Sequence, residues 1–439
     1  MSNLTKVPNS LEQHWMPFTA NRHFKANPRL IVGAKGMYYT THRGDQVLDG
    51  SSGLFCVAAG HGRREIAEAV HEALTELDYA PPFQFGHPVQ FELSRRIAAL
   101  TPGDLNHVFY TNSGSESVDT ALKIALAYQR VRGEGQRQRL VGRERSYHGV
   151  NFGGLSVAGM VNNKKAFGLG LPGVVHMRHT HLPEHTFTFG QPETGAEIAN
   201  DLQRLVDLHG ADSIAACIVE PIAGSTGVLV PPKGYLKRLR EICDQHHIVL
   251  IFDEVITAFG RTGEHFGSDA FGVVPDIITM AKALTNGVVP MGAVAVSDRI
   301  YDAVTNAVPE TAVELFHGYT YSGCPVAAVA ALVTRDIFEQ EQLVERAAKM
   351  APKFLEALYA FKDLPVVTDI RGYGMLGAMD LAPTEAPGLR GLAVMQQLYD
   401  AGLMVKLTGD SVLISPPLVS EDKHLDELFT KLRDVLKTQ

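Results

Sequence analysis

Ile248-Val249-Leu250-Ile251-Phe252-Asp253-Glu254-Val255 is an unbroken apolar run that ends in two acids. A strand with one wet face alternates polar and apolar residues. A run that is apolar at every position has both faces covered, as in the parallel sheets of α/β domains. The flanking sequence agrees. Upstream, residues 214–219 form a β-rich run and 234–247 a polar-faced helical stretch. Downstream, 276–281 and 293–296 read as further strands. Earlier still, 107–111 reads as a strand and 115–131 as a helix, with Val118, Ala121, Leu122, Ala125 and Leu126 at helical spacing. This βαβα rhythm, from about residue 60 to 300, predicts an α/β domain with a mostly parallel sheet. The two ends differ. Residues 37–49 alternate and turn at Arg43-Gly44-Asp45, as an antiparallel hairpin does. From about 340 onward, helices alternate with short strands such as 411–414. The expected division is an N-terminal segment, 1–58, joining a C-terminal small domain, 326–439, beside a large domain, 59–325.

An acid at the carboxyl end of a buried strand points into the crevice where open α/β sheets bind ligands. Asp253 has three readings: a strand ending in a surface turn, the acid of a nucleotide-binding site, or an acid that keeps a pyridine nitrogen protonated. The second needs GxxxxGK[ST] upstream, and no such match occurs. The third is that of a pyridoxal-5′-phosphate (PLP) site, and it needs a lysine close by. Ile277-Ile278-Thr279-Met280-Ala281-Lys282 supplies one at the end of a short apolar strand. Lysines are mostly solvated, but burial at a sheet mouth lowers the pKa, as a Schiff-base amine requires. Thr111-Asn112-Ser113-Gly114-Ser115-Glu116 lies between a strand and a helix, where backbone N–H groups and the helix dipole favour a phosphate. It also reads as an ordinary capped helix start, with Ser115 as the cap. Arg145-Ser146-Tyr147-His148-Gly149 offers an aromatic that either stacks on a flat ring or packs in the core. His317-Gly318-Tyr319-Thr320-Tyr321-Ser322-Gly323 is a polar, Gly-punctuated loop, on its own only a turn.

Taken in order, these five segments resemble the class III (ω-) aminotransferases of the fold-type I PLP enzymes. The resemblance runs from His14-Trp15-Met16-Pro17-Phe18 to Pro416-Pro417. It is nearest to the β-alanine:pyruvate, or ω-amino acid:pyruvate, group. Gln84-Phe85-Gly86-His87-Pro88, Leu105-Asn106-His107-Val108, the segment 238–246 and Pro290-Met291-Gly292-Ala293-Val294 carry that likeness. The resemblance implies a large mostly parallel-sheet domain with a smaller α+β domain, PLP as cofactor, and a homodimer with active sites at the interface, or a tetramer of paired dimers. It implies transfer of an amino group from an ω-amino acid or amine to pyruvate. It further implies Lys282 as the Schiff-base lysine and Asp253 as the acid paired with the pyridinium nitrogen. Val255 packs under the ring in this pattern, Tyr147 stacks above it with His148 beside it, and Glu220 stands near the ring edge. Ser113, Gly114 and Ser115 hold the phosphate, with Thr320 donated by the second subunit. Trp15, Leu54, Phe55, Phe83 and Phe85 line the substrate pocket, some of them across the interface. One departure stands out. Family members acting on ω-amino acids usually carry an arginine for the substrate carboxylate in a pattern like R-x-x-G-D, where this chain has Lys406-Leu407-Thr408-Gly409-Asp410. Lysine is a point charge without the planar two-point fork. Two alternatives share the sequence features: an aminomutase or decarboxylase using the same cofactor contacts, and a non-enzymatic PLP- or nucleotide-binding protein.

Composition narrows the field. The 439 residues carry a formal net charge of -8 with acids and bases mixed, and no long basic run favours nucleic acid. Residues 1–10 have no charged-then-apolar secretory pattern, and the apolar stretches are too short and broken for a membrane span. Cys56, Cys217, Cys243 and Cys324 are scattered and form no CxxC, which points to reduced thiols and a cytoplasmic protein. Gly168-Leu169-Gly170-Leu171-Pro172-Gly173 fits GxGxxG, but Pro172 spoils a helix opening there. His181-Leu182-Pro183-Glu184-His185 fits HxxEH, but Pro183 opposes the regular helix a zinc site needs, so no metal is expected. Gly154-Leu155-Ser156-Val157-Ala158 narrowly misses GxSxG.

Overall fold

The computed structural model describes residues 7–439. Met1 to Lys6, part of the segment read above for a secretory pattern, lie outside the described residues.

The apolar run forms the strand Val249–Asp253, buried at every position, in a seven-stranded sheet. The strand order is His107–Thr111, Gly292–Val296, Ile277–Met280, Val249–Asp253, Ile214–Val219, Arg139–Arg143, Val175–Met177. Gly292–Val296 runs antiparallel to both neighbours, and the pairings from Ile277–Met280 to Val175–Met177 are all parallel. The helix Gly114–Val131 buries Val118, Ala121, Leu122 and Ala125 and half-buries Leu126, which is the stripe the spacing predicts. The fully buried Val118 and Leu122 each contribute roughly 1.5–3 kcal/mol, and the alanines about one methyl's worth each.

The start of this helix corrects one expectation. The cap is Ser113, not Ser115: Ser113 has extended backbone (φ -161°, ψ 163°), and its Oγ accepts from Glu116 N at 3.2 Å. Ser115 lies inside the helix, where its own backbone is helical and its hydroxyl cannot cap. Its Oγ instead accepts from Val150 N at 3.1 Å.

Two four-stranded sheets flank the large one. The expected hairpin is present as Tyr38–Thr41 against Gln46–Asp49, with Gly44 in the turn at φ +90°. An additional strand, Ile31–Lys35, pairs with Tyr38–Thr41. Gln46–Asp49 pairs in parallel with Leu403–Met404, so the two ends of the chain share one sheet. The other sheet has the order Val367–Tyr373, Leu376–Leu381, Ser411–Ile414, Lys406–Thr408. Among the described residues no helix is long and apolar enough to cross a membrane, and all four cysteines are free.

Candidate active site

Parallel neighbouring strands end at the same edge of a sheet, about 4.8 Å apart. Here each of four adjacent strands delivers a polar residue to that edge. Ile277–Met280 is followed by Lys282, Val249–Asp253 ends in Asp253, and Ile214–Val219 is followed by Glu220. Arg139–Arg143 leads into Tyr147 and His148. A cavity of about 140 Å³, open at its mouth, is lined by Gly114, Ser115, Tyr147, His148, Gly149, Glu220, Asp253, Val255, Ile256, Ala281 and Lys282. Residues read from five separate stretches of sequence therefore share one chamber.

Asp253 is held from two sides. Its Oδ2 lies 2.7 Å from His148 Nδ1, and its Oδ1 accepts from Thr279 Oγ1 at 3.1 Å and from Val255 N at 3.2 Å. Thr279 is the direct strand partner of Asp253. His148 is buried and its Nε2 has no hydrogen-bond partner among the described residues. Glu220 accepts from Tyr147 N at 2.9 Å and Gly224 N at 3.1 Å. Burial pushes its carboxyl up, against the pull of His148.

Lys282 is half-buried, and desolvation pulls its ammonium down to about 8 despite the attraction of Asp253. Its φ of 52° is left-handed, a conformation that costs a non-glycine residue about 1–3 kcal/mol and clusters at functional sites. The helix N-terminus reaches the chamber because Gly149 lets it. At φ +90°, a Cβ on Gly149 would sit 2.4 Å from Ser115 Oγ.

The remaining expected residues divide. Phe55 is buried beside Lys282, whose Nζ lies 5.3 Å from the ring centroid. Lys406 Nζ lies 5.0 Å from the same centroid and donates to Ser225 Oγ at 3.2 Å. Burial, then repulsion from Lys282, pulls Lys406 down to about 8. Ser113 is near the chamber but its hydroxyl caps the helix. Leu54, Trp15, Phe83 and Phe85 are exposed large side chains. Phe83 instead borders a separate surface hollow with His317, Gly318 and Ser322, on the loop that carries exposed Thr320. Thr320 carbonyl oxygen accepts from Tyr79 Oη at 2.9 Å. Within one chain, then, Thr320 and Phe83 share a surface away from the Lys282 chamber.

Sequence reading missed Thr279 and Ser225. Thr279 had a signal: one hydroxyl within an otherwise apolar strand three residues before Lys282. Ser225 had none, because it meets Lys406 only through docking of two distant segments, reinforced by Thr408 Oγ1 donating to Ser225 O at 2.9 Å. Of the motifs set aside, His181 Nε2 lies 3.0 Å from Asp369, Pro183–His185 is a single 3₁₀ turn, and Leu169 is fully exposed.

The donor set fits PLP. The chamber offers a half-buried amine of lowered pKa, a carboxylate fixed for a ring nitrogen, helix-terminal N–H groups for a phosphate, and an aromatic wall in Tyr147.

Comparison with known proteins agrees. The chain is 52% identical over 430 residues to an omega-aminotransferase of Caulobacter vibrioides, covering 98% of each. It is 50% identical to a beta-alanine–pyruvate aminotransferase of Pseudomonas aeruginosa, covering 97% of this chain and 96% of the relative. Among solved structures, the omega transaminase of Pseudomonas jessenii in complex with PMP superposes with a TM-score of 0.92 at 30% identity, covering 97% of this chain and 96% of that one. A thermostable (S)-enantioselective omega-transaminase from Thermomicrobium roseum superposes with a TM-score of 0.91 at 34% identity, over 99% of both chains. Residues 19–436 match the Aminotransferase class-III family, and the chain belongs to that PLP-dependent family.

Proposed function

We propose that this chain is an ω-aminotransferase that moves an amino group from a β-alanine-like ω-amino acid, or an amine, to pyruvate, giving alanine and an aldehyde or ketone. The observation that carries the reading is Lys282: a half-buried amine, pulled down to about 8, sharing a chamber with the Asp253–His148 pair. Lys282 would hold the cofactor covalently and Asp253 would hold the ring nitrogen. Val255 and Tyr147 would take the two ring faces, Glu220 the edge, and Gly114 and Ser115 the phosphate. When bound, PLP supplies an electron sink for the amine-bearing carbon. Lys282 Nζ, once freed, would take the proton from that carbon and deliver it to the cofactor carbon that the lysine had held, acting first as base and then as acid. A pKa near working pH suits an amine that must act as both base and acid. Lys406 Nζ would meet the substrate carboxylate.

Thr320 and Phe83 would serve the partner's site in a homodimer. Support comes from their shared surface and from the large exposed apolar side chains Trp15, Phe85, Phe91, Phe316 and Tyr321. The division at residues 58 and 325 is likewise our reading, supported by the sheet that joins Gln46–Asp49 to Leu403–Met404. A cytoplasmic location is supported by the four free cysteines.

The test is alanine formation from β-alanine and pyruvate by the PLP-loaded enzyme. Alanine should appear only when donor and acceptor are both present. Turnover of β-alanine without any keto-acid acceptor would instead indicate a mutase or decarboxylase.

A further inference from the structure

Two half-buried lysines approach one aromatic ring. Lys282 Nζ lies 5.3 Å and Lys406 Nζ 5.0 Å from the Phe55 centroid. Lys406 has Ser225 Oγ as its hydrogen-bond partner, and no carboxylate pairs with either nitrogen among the described residues. A buried ammonium without a counter-charge is costly. A ring face recovers part of that cost.

Phe55 is not free to move aside. Ser52, Gly53 and Phe55 all have left-handed φ (50°, 64° and 65°). Gly53 N donates to Asp49 Oδ2 at 2.7 Å, and Ser52 Oγ donates to Ser415 O at 2.7 Å while accepting from Arg261 Nη2 at 3.1 Å. The ring is thus held beside both lysines by a strained and well-anchored turn. The titratable groups facing Lys282 are Asp253, Cys56, Glu220 and Arg261, and those facing Lys406 are Lys282 and Glu220. Charges gathered at one ring and partly screened from solvent feel each other strongly.

We propose that Lys406 and Lys282, gathered at one Phe55 ring, form an electrostatically coupled pair, so that a substrate carboxylate bound at Lys406 raises the proton affinity of Lys282. The proposal rests on the assignment of Lys282 as the cofactor-holding amine. It gives Lys406 a second role besides binding. Carboxylate substrates cancel its charge and strengthen the base that acts on them, while neutral amines leave that base weaker. Lys406 is therefore a specificity-determining residue that acts on kcat as well as KM.

The test follows the proton on Lys282 Nζ through the visible absorbance of the PLP-loaded enzyme as pH is varied. Propionate, a carboxylate with neither amine nor carbonyl, serves as the probe. In the unaltered enzyme, saturating propionate should move the midpoint up by about one pH unit, the size of a unit charge interacting over this range at intermediate dielectric. Lys406→Met should start about one unit higher and ignore propionate, because its charge is already gone. Lys406→Arg keeps the charge and should titrate near the unaltered enzyme. Equal midpoints in the Lys406→Met and unaltered enzymes would overturn the coupling, as would a propionate shift that is the same in both. Titrating the unaltered enzyme with and without propionate is decisive even if a variant folds poorly: no shift at saturation overturns the proposal. Failure of the underlying assignment looks different. If Lys282→Ala keeps the same visible titration, Lys282 is not the cofactor-holding amine at all.

Discussion

His148 Nδ1 lies 2.7 Å from Asp253 Oδ2, with both side chains buried, while Thr279 Oγ1 donates to Oδ1 from the neighbouring strand. The carboxylate is thereby fixed before any ligand arrives. An amide at this position keeps the shape but cannot hold a pyridinium proton by charge. Asp253→Asn should fold normally and lose at least about 100-fold in kcat, by analogy with the loss of one preorganised electrostatic contact. Single-turnover rates of the amine half-reaction measure this directly, and rates equal to those of the unaltered enzyme would exclude the role.

Lys282→Ala should lose nearly all turnover while still retaining PLP non-covalently. Borohydride followed by peptide mass analysis should locate the cofactor on Lys282 in the unaltered enzyme and on no peptide of the variant. A variant that transaminates normally removes the central assignment.

Lys406→Ala should raise KM for β-alanine and pyruvate about 10- to 100-fold, corresponding to the roughly 1.5–3 kcal/mol of a hydrogen bond to a charged group. The binding of a simple aryl amine should barely change. The pH profiles should also part. Lys282 is a base only when deprotonated, so the amine half-reaction should rise with pH through about 8 for a neutral amine and about one unit higher for β-alanine, whose carboxylate cancels the Lys406 charge. Lys406 binds a carboxylate only when protonated, so KM for β-alanine alone should climb above about 8. Parallel profiles for the two substrates would place carboxylate recognition elsewhere.

Thr320→Ala should weaken PLP retention in the partner's site. Hybrids of Lys282→Ala and Thr320→Ala subunits contain one site with both lesions and one with neither. Such mixtures should recover activity beyond that of either parent. Persistent inactivity after verified subunit exchange would return Thr320 to its own chain or to no role.

The half-buried lysines also set a pH dependence of stability in the cofactor-free protein. Both have folded values near 8 against an ordinary 10.5, so the unfolded chain binds more protons between those values. Stability should therefore rise as pH increases from about 8 to 10.5, and the penalty is fully present below about 8. Lys406→Met should raise the thermal midpoint at pH 7 by an amount equivalent to at most about 3 kcal/mol, and by much less near pH 10. A gain that is the same at both pH values would mean that the effect is packing, not charge.

The α/β class, the strand positions and the emergence of Lys282 and Asp253 at one sheet edge were determined by the sequence alone. Those features are local: the fully apolar run 249–252 demands two covered faces, and an acid or lysine placed just after such a run must emerge at the sheet's carboxyl edge. The division of labour at the helix start was partly legible. Gly114 and Ser115 do line the chamber, but the cap was misplaced, because which of two nearby serines has extended backbone depends on how the strand enters the helix. Only the tertiary structure could bring Lys282 and Lys406 to the same Phe55 ring, or bring Ser225 to Lys406 across 181 positions of sequence. It also decided that Thr320 and Phe83 face a common surface while Lys282 faces an inner chamber. The physical reason is common to all of these. Hydrophobic periodicity and capping are encoded within a few residues, whereas the contacts that set charge and exposure arise from packing between distant segments, and no local pattern specifies them.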